Sequence, residues 1–201
     1  MKFRKVLLVL AVPFLLDVAS SCSMGCDVET YQYVHKDLQV ANLDNSGAKA
    51  VVTSGEVKRS AYGIRLSISR DAIAAILHEP GLSFSTKLYA SDCIENEYIA
   101  KDSITSIKVV SLVNFDEEHG AGSDVSDYFK VGLTGAFTAL DDYVNMYGHQ
   151  TLNLNGPIQA HEINLLLMTQ PEPGTYQFKL EVTISDGRNF EGTTNEIELV
   201  E

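Results

Sequence analysis

The residue types that could do chemistry are present but scattered. The five histidines are His35, His78, His119, His149 and His161, and no two are spaced as HxH or HxxxH. His161-Glu162 opens like the helical zinc motif HExxH, whose two imidazoles share one helix face. Leu165 stands where the second histidine would be, and the segment reads as a strand. The best candidate for a metal is the acidic stretch Asp116, Glu117, Glu118, followed by Asp124 and Asp127. Carboxylates in a glycine-containing loop suit calcium, which takes roughly six to eight oxygens, but the spacing is not that of an EF-hand. A solvated acidic loop is the plainer reading, and Asp141-Asp142 could join it in space or face water. Two carboxylates at the right separation could serve glycoside hydrolysis, a separation that sequence does not give. No GxSxG elbow or phosphate-binding loop occurs, and Gly120-Ala121-Gly122 lacks the third glycine of a dinucleotide fingerprint. No catalytic residue and no cofactor is assigned, and the chain reads as a non-enzyme.

Three tyrosines are candidate ligand-binding residues. Tyr128, Tyr143 and Tyr147 fall in segments that read as insertions between strands. Tyrosines exposed on loops bind sugars or proteins by ring stacking and hydroxyl bonds, whereas half-buried ones simply pack short helices onto a sheet.

The N-terminus carries a different kind of chemistry. Lys2, Arg4 and Lys5 precede the apolar run Val6 to Leu16, which Pro13 interrupts. The run is too short for a membrane-spanning helix, which needs about 20 residues, and a basic flank before a short apolar core is a secretory signal pattern. Val18-Ala19-Ser20-Ser21-Cys22 then places small residues before a cysteine, which resembles a relaxed bacterial lipobox. The Cys22 thiol would take the lipid, making the membrane a partner through an N-terminal anchor. Three cysteines is an odd number for an exported protein. With Cys22 acylated, Cys26 and Cys93 remain for a disulfide in an oxidising compartment, the alternative being two free thiols. The expected division is a signal peptide over 1–21, a tether over 22–30 and one domain over 31–201. The whole chain has a net charge of −12 and a pI near 4.8. Without residues 1–21 the charge becomes −14. Such an acidic protein lacks the basic face that nucleic acid requires.

The elements that must position these residues are mostly strands. Tyr176, Phe178, Leu180, Val182 and Ile184 alternate with polar residues, as do Ile64, Leu66 and Ile68. Ile163, Leu165 and Leu167 share one face, with Leu166 and Met168 on the other. Leu38, Val40 and Leu43 suggest an opening strand, and Phe84, Thr86 and Leu88 a weaker one. Ile104 to Phe115 is apolar on both parities and predicts a central strand. Asp186-Gly187 predicts a closing hairpin, with a β-bulge near Asn195 to bring Ile197 and Leu199 into register. Short helical turns are expected at Ser69–Leu77, stopped by Pro80-Gly81, at Thr138–Met146 and at Ser123–Phe129. The pattern predicts an all-β, immunoglobulin-like antiparallel sandwich with short helical insertions in its loops. Gly174-Thr175-Tyr176 resembles the tyrosine corner of such domains, in which the hydroxyl bonds back to nearby backbone. An ordinary buried tyrosine is the alternative reading.

The chain as a whole resembles the uncharacterised cell-envelope lipoproteins of gut Bacteroidetes, in which a domain of unknown function with an Ig-like sandwich follows a lipobox. The resemblance rests on Ser21-Cys22 and Cys26, on Ala61-Tyr62-Gly63-Ile64-Arg65-Leu66 and on Ile104-Thr105-Ser106-Ile107. Asp124 to Phe129 and the closing Gly174–Leu199 segment add to it. It implies a protein lipid-anchored to the bacterial outer membrane, periplasmic or surface-exposed. There it would act as a non-enzymatic binding or structural module, or as a carbohydrate-binding accessory of glycan uptake.

Overall fold

The computed structural model describes residues 29–76, 96–133 and 135–201. Cys22, Cys26 and Cys93, His78, and the expected strand at Phe84–Leu88 lie outside the described residues. Among the described residues, fourteen strands and one α-helix make up the fold. Their order is β1 (Thr30–Asp44), β2 (Val51–Val52), β3 (Val57–Lys58), β4 (Tyr62–Ile76), β5 (Asn96–Ala100), β6 (Ile104–Ser111), β7 (Phe129–Leu133), β8 (Ala136–Ala139), α1 (Leu140–Tyr147), β9 (Thr151–Leu154), β10 (His161–Leu167), β11 (Gly174–Tyr176), β12 (Phe178–Ile184), β13 (Asn189–Thr193) and β14 (Ile197–Val200).

One layer is an eight-stranded sheet in the order β8-β7-β10-β4-β1-β5-β9, with β2 paired to the end of β1. The facing strands form two three-stranded groups, β13-β12-β6 and β11-β14-β3. The result is the expected all-β sandwich, mostly antiparallel, although β1 pairs with β5 and β3 with β14 in parallel. Between the layers lie Ile64, Leu66 and Ile68, then Ile163, Leu165 and Leu167, then Tyr176, Phe178, Leu180, Val182 and Ile184, all buried. The alternation seen in sequence is therefore burial on one face of each strand. Tyr176 does form the corner bond, its hydroxyl donating to the Glu172 carbonyl at 2.7 Å. The closing hairpin also carries its bulge. Lys179 faces Thr193 while Tyr176 faces Ile197, so one strand advances three residues as the other advances four.

Three expectations are corrected. Ser69–Leu77 is not a helical turn. Its described part continues β4 to Ile76, because β1 offers partners throughout, from Asp44 opposite Tyr62 to Thr30 opposite Ile76. Ladder bonds along the whole strand outweigh the helical preference of Ala72, Ala74 and Ala75. β6 is not central but an edge strand, paired only with β12 among the named strands. Helix α1 packs against it, and its outer edge carries the bridge from Val110 to Asp124. Ser123–Phe129 reduces to one 3-10 turn at Ser126–Tyr128.

Helix α1 closes the side of the sandwich between β6 and β7. Leu140, Tyr143 and Val144 are buried, at spacings of three and four that make one helical face. Asp141 and Asp142 occupy its first turn, where negative charge suits the helix dipole. It ends against β6 through Gly148, whose carbonyl accepts from the Ile104 N–H at 2.9 Å. A β-carbon on Gly148 would lie 2.3 Å from the Ile104 oxygen and 2.5 Å from the Val144 oxygen. Both obstacles are backbone, so Gly148→Ala is expected to lower unfolding free energy by about 1–3 kcal/mol. A urea midpoint unchanged from wild type would show that the helix does not seat this closely.

Candidate functional site at one end of the sandwich

Two strands carry a charge or an imidazole where their core face should continue. In β4 the buried series Ile64, Leu66, Ile68 reaches Arg70 at the next inward position. In β10 the series Leu167, Leu165, Ile163 reaches His161 in the other direction. His161 pairs with Ile68, so Arg70 is its diagonal neighbour on the same face, at a typical Cβ separation of about 7–8 Å. His35 of β1 lies directly opposite Arg70. The inner face thus ends in a polar row of His35, Arg70 and His161.

The row is roofed and walled by aromatic and amide groups. Tyr33 is fully buried beneath it, with the Arg70 guanidinium carbon 5.2 Å from its ring centroid, a cation–π arrangement. The Tyr33 hydroxyl donates to the Gln150 carbonyl at 3.0 Å, and Arg70 Nη2 reaches Gln150 Oε1 at 3.4 Å. From α1, the Tyr143 hydroxyl meets His161 Nε2 at 2.8 Å. Tyr147 stacks obliquely on Tyr143 at 5.2 Å and stays exposed at the rim. Arg70, Gln150 and His161 are half-buried. Among the described residues no carboxylate reaches Arg70. Among the described residues nothing partners Arg70 Nε or His161 Nδ1, and both atoms are buried. Burial, with the nearby charge of Arg70, pushes the His161 pKa down to about 3. His161 is therefore neutral at pH 7.

His35 belongs to a second network that joins the two layers. Its Nδ1 lies 2.6 Å from Asp102 Oδ1, and its backbone N–H also donates to that carboxylate. His35 is 2% and Asp102 4% exposed. Arg188, from the turn between β12 and β13, completes the pairing through Nη2 to Asp102 Oδ2. The same side chain donates from Nη1 to the His35 carbonyl at 2.6 Å and from Nε to Asp186 at 2.7 Å. Desolvation outweighs the carboxylate, so the His35 pKa lies below its ordinary value and its ring is an uncharged donor to Asp102. No serine or cysteine side chain completes a nucleophilic triad with this pair among the described hydrogen bonds.

The residues expected from sequence fare unevenly. Tyr143 and Tyr147 come together, but Tyr143 is only 5% exposed and serves mainly to seat α1. Tyr128 lies at the opposite end of β10, where its carbonyl accepts from the Met168 N–H, roughly 20 Å from His161 by strand rise. There it stacks on Phe115 at 5.2 Å. The acidic residues do not converge. Asp116 Oδ1 accepts from the backbone of Glu118 and His119, and Asp124 Oδ1 from that of Ser126. Asp116 and Asp124 thus fix turns. Among the described residues no three His, Cys, Asp or Glu side chains are grouped to hold a metal. Sequence reading missed Arg70, His35, Asp102 and Arg188. For Arg70 a signal existed: it continues the core parity of Ile64–Ile68.

Residues 35–195, a span that holds His35, Arg70, Asp102, His161 and Arg188, match the family described as "Domain of unknown function (DUF5034)". The chain belongs to that family. This agrees with the domain of unknown function expected from the sequence. No curated protein matches the chain. Among solved structures, the C-terminal domain of the Streptococcus agalactiae AgI/II polypeptide BspA is similar at 14% identity and a TM-score of 0.25, covering 79% of this chain and 49% of that one. The C-terminal domain of the Streptococcus pyogenes antigen I/II-family protein AspA is similar at 13% identity and a TM-score of 0.25, covering 80% and 46%. This chain therefore spans about half the length of those structures.

Proposed function

We propose that this member of the DUF5034 family is a non-enzymatic binding module of the bacterial cell envelope, held to the outer membrane by lipid on Cys22. The leader pattern ending at Ser21-Cys22 carries this reading. The position of the sandwich supports it. Its first strand starts at Thr30, so the tether from Cys22 reaches at most about 28 Å. A domain on so short a leash works close to the bilayer. Among the described residues no helix is long and apolar enough to cross a membrane. The non-enzymatic part is supported by the use made of the titratable groups. His35 and Asp102 are spent on each other, and Asp116 and Asp124 on turns.

Membrane fractionation of the full chain in a Bacteroidetes host tests the anchor. The wild type is expected in the membrane fraction with an intact mass starting at acylated Cys22, and Cys22→Ala is expected to move it to the soluble fraction. A Cys22→Ala protein that stays with the membrane would overturn the reading. The same spectrum, lighter by a pair of hydrogens before reduction, would report a Cys26–Cys93 bridge. Carbohydrate is the second reading, favoured by the exposed ring of Tyr147 beside the polar row.

A further inference from the structure

We propose that Arg70 and His161 form a binding site for a small carboxylate, with Tyr147 as the ring against which the rest of the ligand lies. This deepens the binding-module reading and does not depend on the lipid anchor.

The argument begins with the two orphaned atoms, Arg70 Nε and His161 Nδ1. Buried polar atoms are nearly always paired, so two on one face mark a missing partner. Their chemistry says what it is. Arg70 Nε can only donate. The His161 tautomer follows from its contact with Tyr143 at 2.8 Å. A phenol is the better donor and an imidazole nitrogen the better acceptor, so the hydroxyl donates to Nε2 and the proton sits on Nδ1. Both orphans are then donors, and the missing partner is an acceptor. One edge of a guanidinium presents two parallel N–H groups that match a carboxylate. The only described bond from Arg70 is the long one of 3.4 Å to Gln150, which a carboxylate can displace.

Pairing among the arginines singles out the same place. The other described arginines, Arg59, Arg65 and Arg188, each lie beside a carboxylate. Arg70 is instead packed among Tyr33, Gln150 and uncharged histidines. A half-buried guanidinium that no described carboxylate neutralises has lost part of its hydration, so an arriving carboxylate gains more there than at an exposed arginine. Tyr147 is the exposed member of the group, with Gln150 half-buried beside Arg70.

Sodium acetate, D-glucuronate and D-glucose, titrated into the full-length protein at constant ionic strength, test the site. The readout is the pair of imidazole nitrogen signals of His161 by NMR. Glucuronate is expected to shift Nδ1 saturably, and glucose is not. Arg70→Gln is expected to weaken glucuronate at least tenfold, and Arg70→Lys less. Tyr147→Ala, at an exposed position that leaves the core intact, is expected to weaken glucuronate about threefold and leave acetate unchanged. If acetate binds as well as glucuronate, the carboxylate site stands and its ligand is not a sugar. If neither carboxylate shifts the signals, or glucose shifts them equally, the proposal is wrong and a buried water holds the two donors. This result is independent of fractionation: a soluble Cys22→Ala protein that binds glucuronate, or a membrane-bound one that does not, separates the two claims.

Discussion

Asp102→Ala is expected to lower the unfolding free energy by about 3–5 kcal/mol, the range for breaking a buried charged pair from one side. The magnitude follows from what the carboxylate holds. It accepts from the His35 ring, from the His35 backbone and from Arg188, and it is almost wholly removed from water. Alanine would leave three donors facing an apolar gap, each a desolvated group without a partner. The check is urea denaturation at pH 7, with the slope of the transition compared as well as its midpoint. Arg188→Ala should cost less, because that side chain is half-exposed and its release returns it to water. The two losses should not add, since the residues share one network. A loss below about 1 kcal/mol for Asp102→Ala would mean that the network does not bind the layers together.

Acidification should destabilise the domain well before its carboxylates titrate. An unfolded histidine protonates near pH 6.5. His161 in the folded protein holds off protonation to about pH 3. Between those values the unfolded chain binds a proton that the folded chain refuses, so stability falls as the pH drops through this window. Discounted for partial exposure, the loss from this residue is roughly 3 kcal/mol, most of it reached by pH 4. His35, also depressed by burial, adds in the same direction. Asp116 and Asp186, both held below the ordinary carboxylate value by hydrogen bonds, contribute only at lower pH. The measurement is the thermal midpoint from pH 7 to pH 4 for wild type and His161→Phe. The wild type should lose stability steadily and the phenylalanine variant should lose distinctly less. Parallel curves would show that His161 takes up its proton in the folded state without penalty.

Where the sequence was read well, the information was local. Tyr176 to Ile184 alternates without a fault, and Asp186-Gly187 supplies the turn, with Gly187 at φ +91°. Even the bulge could be counted, because Ile197 and Leu199 sit one parity away from where an unbroken hairpin would place them. The helix expected over Thr138–Met146 forms over Leu140–Tyr147, with Leu140, Tyr143 and Val144 as its buried face, while Thr138 and Ala139 end β8. Where reading failed, the deciding partner was far away. Ala72, Ala74 and Ala75 favour a helix locally, and only β1, some forty residues earlier, makes them a strand. That one mistake also hid Arg70, since a residue at a helix start has no core parity to violate. His35 and Asp102 are separated by 67 positions, and nothing near either foretells the other.

The bond from Arg188 to the His35 carbonyl spans 153 positions, and so does the bond from the Asn42 side chain to the Asn195 carbonyl. Both tie the opening strand to the closing hairpin. At a synthesis rate of about 5–20 residues per second, the opening strand waits roughly 8–30 s for these partners to be made. During that interval His35 lacks Arg188 and Asn42 lacks Asn195, and these two ties between the opening strand and the closing hairpin cannot form. A chain built this way completes its sandwich only when the last hairpin arrives.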